Sequence, residues 1–189
     1  TNLLGVLRIP MSARFIINAG QHRRAAMDMA LREKPELGDE TIAVVSKWFE
    51  TAGVPCRVSQ HIDADLWTKL IVNAALNAIS AVVQVPYGAI AATAESRETV
   101  RDLVNECVAV ARADGVPMPD VDFVEMVLRF AQDNGHVHSS TARDLARGAR
   151  TEIDALNGYV VRRGTSRGVP TPVNQSLIAL VKLREAWGR

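Results

Sequence analysis

The stretch Leu66-Trp67-Thr68-Lys69-Leu70-Ile71-Val72-Asn73-Ala74-Ala75-Leu76-Asn77-Ala78-Ile79-Ser80 decides the reading of this chain. It lies within a helix expected from about Ile62 to Val83. Lys69, Asn73 and Asn77 recur at every fourth position, so each sits about 40° further round the axis and roughly 6 Å further along it. They form one polar stripe among Leu66, Leu70, Ile71, Val72, Ala74 and Leu76. An ammonium and two carboxamides on such a helix need partners. One reading lets the lysine stem lie on apolar surface with its head in water, while the amides bond neighbouring helix ends. The other lines a cleft with the stripe. There the amides orient an oxygen-rich substrate, and the ammonium stabilises and then protonates the alkoxide of a reduced ketone.

Outward from this helix the chain reads as further helices punctuated by Gly and Pro. Helices are expected at about Arg97 to Ala113, Val121 to Gln132, Ala142 to Gly148, Glu152 to Arg163 and Pro172 to Trp187. Thr171 and Pro172 supply an N-cap and N1 pair for the last of these. Val100, Leu103, Val104, Cys107 and Val108 share a face of the first, which Asp114-Gly115-Val116-Pro117 stops. Upstream, Asp39 caps a helix carrying Ile42, Val45, Trp48 and Phe49, and Ala52-Gly53-Val54-Pro55 stops it. In the opening third, Leu3 to Leu7 and Arg14 to Asn18 read as short strands, Ala25 to Arg32 as a helical turn and Lys34 to Gly38 as a polar loop. A boundary is expected near Ile62, and no repeat of fixed period is visible.

A second constellation runs Ser139-Ser140-Thr141-Ala142-Arg143-Asp144 and then Arg150-Thr151-Glu152-Ile153-Asp154-Ala155-Leu156-Asn157-Gly158. Thr141 with Asp144, and Thr151 with Asp154, have capping-box spacing, which accounts for much of this polarity as helix initiation. Glu152 is not needed for a cap. It lies at the edge of the face carrying Ile153, Leu156 and Val160, where a carboxylate can hold a cationic Lys69 or a substrate hydroxyl.

Composition narrows the class. The 189 residues are 48% hydrophobic and 23% charged with a net charge of +1, which describes a folded globular chain of one large domain or one and a half small ones. That charge lacks the global field exploited by non-specific nucleic-acid binding or an anionic membrane surface. It is unevenly placed: from Thr141 onward nine Lys and Arg face four Asp and Glu, so this part could meet an anion. Cys56 and Cys107 are too far apart for a CxxC site and read as buried small hydrophobes, which favours a reducing compartment, the cytosol. No signal-peptide pattern opens the chain, and the run from Leu70 to Val83 is broken by Asn73, Asn77 and Ser80. His136 and His138 make an H-x-H without a nearby ligand cluster, so no metal is assigned. His22-Arg23-Arg24 reads as a solvated basic face.

Taken together, Trp67, Lys69, Leu70, Asn73 and Asn77, then Ser139-Ser140 with Asp144, then Thr151-Glu152-Ile153-Asp154-Ala155-Leu156-Asn157-Gly158, and finally Gly168-Val169-Pro170-Thr171-Pro172-Val173-Asn174 resemble the C-terminal domain of the ketopantoate reductase family in order and spacing. The resemblance covers about Ile62 to Glu185. It implies a mainly α fold of the 6-phosphogluconate dehydrogenase-like type, preceded over residues 1–61 by a short α/β remnant of a Rossmann-type domain, with 62–189 as the substrate-binding and dimerisation domain. It also implies Lys69 as general acid with Glu152 completing the catalytic pair, and Asn73, Asn77 and Ser140 as substrate ligands. The reaction implied is NADPH-dependent reduction of 2-dehydropantoate to pantoate in pantothenate and coenzyme A biosynthesis, in the cytoplasm. The partners implied are a small 2-oxo acid and NADP, with no nucleic acid or membrane, and a homodimer as an open alternative.

Two positions depart from the family. Thr141 stands where Met is common after the paired serines, and Tyr87 stands where some members have a substrate-holding asparagine before the glycine matching Gly88. No G-x-G-x-x-G occurs, so the turn whose N–H groups would meet a dinucleotide's pyrophosphate is not in this chain. The chain is therefore expected to be the substrate half of a larger enzyme, with its cofactor residues elsewhere. Two alternatives stand beside this reading: a non-catalytic helical module that dimerises or binds a partner through its apolar faces, and a reductase of another branched 2-oxo acid.

Overall fold

A computed structural model describes residues 15–17, 47, 48, 50–53, 56–59 and 61–187. The chain divides into two compact units, Thr1–Asp65 and Leu66–Arg189. In the first, β1 (Phe15–Ile17) pairs antiparallel with β2 (Cys56–Val58), Ile16 lying opposite Arg57. β1 falls inside the strand expected over Arg14 to Asn18. Residues 47, 48, 50 and 51 are helical, and Gly53 follows at φ 69°, the left-handed stop that glycine adopts without strain. The expected strand at Leu3 to Leu7, the turn at Ala25 to Arg32, the loop at Lys34 to Gly38, the cap at Asp39 and the His22-Arg23-Arg24 cluster lie outside the described residues. So does most of the expected Rossmann remnant, and the one described strand pair is antiparallel rather than the parallel pair of a βαβ unit. Ser59 Oγ donates to Asp65 Oδ2 and accepts from the His61 N–H at 3.1 Å, which ties the end of β2 to the start of the next helix.

That helix, α1 (Ile62–Val83), has the extent read from the sequence. Ala64, Trp67, Ile71, Ala74, Ala75 and Ala78 are buried and, at 100° per residue, cluster on the face opposite Lys69. Toward the C-terminal end Leu76, Asn77, Ser80 and Ala81 are buried too, so burial spreads round the whole helix. By length and composition α1 could cross a membrane, but half of its apolar window is buried inside the protein, as in the core helix of a folded domain. Gln84 ends it at φ 58°, and its amide donates to the carbonyls of Ala81 at 2.6 Å and Ala142 at 3.4 Å.

The other helices are α2 (Tyr87–Ile90), α3 (Ala94–Ala113), α4 (Phe123–Asp133), α5 (Ser140–Ala146), α6 (Asn157–Arg167) and α7 (Pro172–Trp187). α3 is the hub, packing against α4, α6 and α7 through a face that includes Val100, Leu103, Val104, Cys107 and Val110. Each large aliphatic side chain buried this way contributes about 1.5–3 kcal/mol. Thr93 caps α3 by accepting from the Ser96 N–H, and Asp122 caps α4 by accepting from the Glu125 N–H. α2 packs on α4, with a close backbone approach just past the end of α4. A Cβ on Gly88 would lie 2.9 Å from both Cα and O of Gly135, and the Tyr87 and Gly88 N–H groups donate to the carbonyls of Val137 (2.9 Å) and Gly135 (3.1 Å).

Two expected caps are corrected. Ser139, not Thr141, caps α5: its Oγ accepts from the Ala142 N–H at 2.9 Å while donating to the carbonyl of Asn77, and Thr141 is buried within the helix. Thr151 does not open a helix with Asp154: its Oγ accepts from the Ile153 N–H at 3.3 Å within a turn, while its N–H (2.7 Å) and hydroxyl (2.6 Å) donate to Glu185 on α7. Residues 151–156 consequently turn, and α6 starts at Asn157 rather than near Glu152. In both places the hydroxyl that accepts from a local N–H also donates to a partner distant in sequence.

Candidate active site

Along the polar stripe of α1, exposure falls in order: Lys69 is exposed, Asn73 half-buried, and Asn77 buried at 3%. The stripe thus runs from solvent into the protein. Its inner end is crowded with directed bonds. Tyr87 donates its hydroxyl proton to Asn77 Oδ1 at 2.8 Å. Ser139 Oγ donates to the Asn77 carbonyl at 3.3 Å, and the Ser139 N–H donates to Ser80 Oγ, which donates in turn to the Val85 carbonyl at 2.8 Å. Ser140, the first residue of α5 and half-buried, is therefore held next to Asn77 through its neighbour.

A second set of bonds reaches the backbone of α1 from α6. Asn157, fully buried, donates from Nδ2 to the Ala74 carbonyl at 3.0 Å and to Asn174 Oδ1 at 2.9 Å. Asn174 Nδ2 donates to Glu106 Oε2 at 2.7 Å, and the two oxygens of Glu106 also accept from the Val173 and Asn174 N–H groups at the start of α7. A carboxylate on α3 so caps α7 and, through two asparagines, fixes the start of α6 against α1. Trp67 and Tyr159 stack obliquely at 5.7 Å between ring centres, extending that contact along α1. Glu152 is half-buried in the turn leading into α6, and its carbonyl accepts from the Ala155 and Leu156 N–H groups. Lys69 and Glu152 are each engaged in interactions of their own. The bonds described thus join Asn77 to the Ser139-Ser140 pair directly, and reach Glu152 only through the chain that leads to Asn157.

Burial pushes the Tyr87 phenol above its ordinary pKa, and the nearby Arg143 charge partly offsets this. Burial also pushes the Cys107 thiol up to about 12, so it stays a neutral packing group; the side chain of Cys56 lies outside the description. Asp114, at the C-cap of α3, is held below the ordinary carboxylate range chiefly by its hydrogen bond from Arg163, with Arg167 adding to it. Lys182 pairs with Asp154 at 2.7 Å. Much of the positive charge after Thr141 is thus spent inside the domain rather than offered to an anion. His136 and His138 are exposed, and no group of three or more His, Cys, Asp or Glu assembles among the described residues. An apolar groove of about 360 Å³, lined by Val82, Leu180, Leu183, Arg184 and Trp187, includes none of the site residues.

Sequence reasoning did not anticipate the bonds of Tyr87, Ser139, Asn157, Asn174 and Glu106. For two of them a signal existed. Asn157 stands at i+4 from Ile153 and i−3 from Val160, and Asn174 at i−3 from Leu177 and i−7 from Val181, all four of which are buried. An asparagine at a core position of a helix needs a partner.

The family described as "Ketopantoate reductase PanE/ApbA C terminal" matches residues 61–185. One described as "DNA-sulfur modification-associated" matches residues 1–57, less than a third of the chain. The 2-dehydropantoate 2-reductase of Pyrobaculum aerophilum is 42% identical over 145 residues, 77% of this chain and 52% of that protein. The crystal structure of a PanE/ApbA family ketopantoate reductase from Ralstonia eutropha JMP134 superposes with a TM-score of 0.72 at 47% identity, over 76% of this chain and 48% of that one. A D-mandelate dehydrogenase solved with NADH and anilino(oxo)acetate gives 0.69 at 26% identity, over 79% of this chain and 50% of that one. The chain spans about half the length of the relatives it matches.

Proposed function

The chain belongs to the ketopantoate reductase family through its C-terminal domain, and from that membership we propose that it is the substrate-binding and catalytic half of an enzyme that reduces 2-dehydropantoate to pantoate with NADPH. Residues 1–61 then hold the last elements of the dinucleotide-binding domain, and 62–189 form the substrate and dimerisation domain. The enzyme works in the cytoplasm, in pantothenate and coenzyme A biosynthesis. The observation that carries this reading is the graded stripe of α1, from exposed Lys69 to buried, hydrogen-bonded Asn77.

The chemistry follows from the residue types. A nicotinamide, when bound, would supply hydride to C2 of the oxo acid; no Gly-rich turn of the pyrophosphate-binding type occurs in this sequence, and no cofactor residue is assigned to it. Its own residues act on the substrate. Asn73, Asn77 and Ser140 offer hydrogen bonds to the oxygens of the acid. Lys69 faces the C2 oxygen, stabilises the charge that develops there, and passes a proton from its ammonium to give the alcohol. Glu152 keeps the lysine cationic or holds a substrate hydroxyl.

A reductase of another 2-oxo acid is the second reading. It is favoured by Tyr87, whose hydroxyl proton is committed to Asn77 where some family members place a substrate-holding asparagine. Following NADPH oxidation by the complete enzyme, with 2-dehydropantoate and a series of 2-oxo acids lacking its terminal hydroxyl, separates the two. A preference for 2-dehydropantoate of tenfold or less over its deoxy analogue selects the second reading, since a site built to bond a hydroxyl discriminates by about 10⁴ or more. No reduction of any 2-oxo acid would leave the chain a non-catalytic helical module.

A further inference from the structure

Tyr87 is fixed from several sides. Its N–H donates to the Val137 carbonyl, the following residue has no room for a side chain against Gly135, its ring lies 6.1 Å from that of Phe130, and its hydroxyl reaches Asn77 Oδ1. A phenol has one proton to give, and in this buried residue the proton goes to the carboxamide oxygen. A carboxamide whose oxygen is engaged in this way turns its NH2 elsewhere. We propose that Tyr87 is a positioning residue: its hydroxyl locks the Asn77 amide with the NH2 toward the substrate cleft, so that Asn77 acts as a one-way donor to acceptor oxygens, the carboxylate or ketone of a 2-oxo acid. The inference rests on the proposed function for the identity of the ligand, and on the hydrogen bond alone for the lock.

The consequence is a separation of roles that a packing residue would not show. Removing the hydroxyl leaves the ring in place but frees the amide to rotate, so half of its orientations present an acceptor to an acceptor. The raised proton affinity of the buried phenol keeps the donor available through the neutral range.

The test compares wild type, Tyr87→Phe, Asn77→Ala and the double variant in the complete enzyme. Tyr87→Phe should raise KM for the oxo acid about 2- to 13-fold with kcat changed less than about twofold, and should add nothing once Asn77 is Ala. An unchanged KM, or an effect that multiplies fully with that of Asn77→Ala, overturns the inference. Should the wild type reduce no 2-oxo acid, the proposed function fails, and the lock is then decided by nuclear magnetic resonance of the nitrogen-15-labelled asparagine amides. Two distinct, slowly exchanging Asn77 amide protons that merge or broaden in Tyr87→Phe support it, and an Asn77 signal unaltered by the substitution overturns it.

Discussion

Gly88→Ala tests whether the backbone approach that seats Tyr87 is as tight as the geometry indicates. The added Cβ would lie 2.9 Å from Cα and O of Gly135, both backbone atoms that no side-chain rotation can move. The two segments must part, at an overpacking cost of about 1–3 kcal/mol. Parting also weakens the bonds from the Tyr87 and Gly88 N–H groups to Val137 and Gly135, each worth about 0.5–1.5 kcal/mol. Alanine's better helix propensity returns only about 0.5–1 kcal/mol, so a net loss of about 2–4 kcal/mol is expected. For a domain of this size that lowers Tm by roughly 5–15 °C, read by far-UV circular dichroism. Gly135→Ala is the graded control: its Cβ meets the Gln132 carbonyl at 3.1 Å and Gly88 Cα only at 3.7 Å, so its loss should be smaller. Gly148→Ala isolates the other mechanism, since φ is 68° with nothing within 4 Å, and should cost only the left-handed strain of about 1–2 kcal/mol. Wild-type melting of Gly88→Ala, or a larger effect at Gly148, would refute the reasoning.

Lys69→Ala in the complete enzyme should lower kcat about 10²- to 10⁴-fold with little change in KM, because proton delivery matters mainly in the transition state; wild-type turnover would sink the assignment. Glu106→Ala leaves the Val173 and Asn174 N–H groups and the Asn174 amide without their acceptor, and should lower stability by about 2–4 kcal/mol in urea denaturation. Asp114 is held below its unfolded pKa by Arg163 and Arg167, so its contribution is complete above the unfolded carboxylate value of about 4 and is lost as pH falls through the folded one. Acid titration of Asp114→Asn should accordingly show lower stability at neutral pH and a flatter loss below about pH 4 than wild type. The 189-residue chain by itself should give a helical circular dichroism spectrum and bind NADPH weakly, since no Gly-rich turn is present to meet the pyrophosphate; micromolar binding in a fluorescence titration would contradict this.

Helix extents were legible where local signals agreed. α1 and α7 have the bounds read from their apolar spacing, and Pro172 opens α7 as its fixed φ allows. α3 starts three residues before the expected Arg97 because Thr93 caps it. Reading failed where a group distant in sequence anchors a segment. Thr151 has the spacing of a cap, but Glu185 stands 34 positions away in sequence and no local pattern points to it. The stop of α1 at Val83 was legible, but not its means: a glutamine at φ 58° stands where Gly or Asn is usual. For the candidate site, residue types and spacing named the stripe. They could not reveal that Tyr87 completes it, because that pairing depends on the turn between α1 and α2.

The direction in which the stripe faces is itself held by bonds to the backbone of α1. Asn157 bonds the carbonyl of Ala74, and Ser139 bonds the carbonyl of Asn77. Carbonyls three residues apart lie about 60° apart round the axis, so two donors from different helices fix its rotation as well as its depth. Sliding α1 by one residue would turn every side chain by about 100° and carry Lys69 toward the face now filled by Ile71, Ala74 and Ala78. A buried, uncompensated ammonium and two broken bonds would oppose that shift. The small residues Ala74, Ala75 and Ala78 suit the same arrangement, since only a short side chain on that face lets Asn157 reach a helix carbonyl. The polar stripe and the alanine face are thus two sides of one constraint: the apolar side lets neighbouring helices come close enough to hold α1 by its backbone, and the hold aims Lys69, Asn73 and Asn77 along one line.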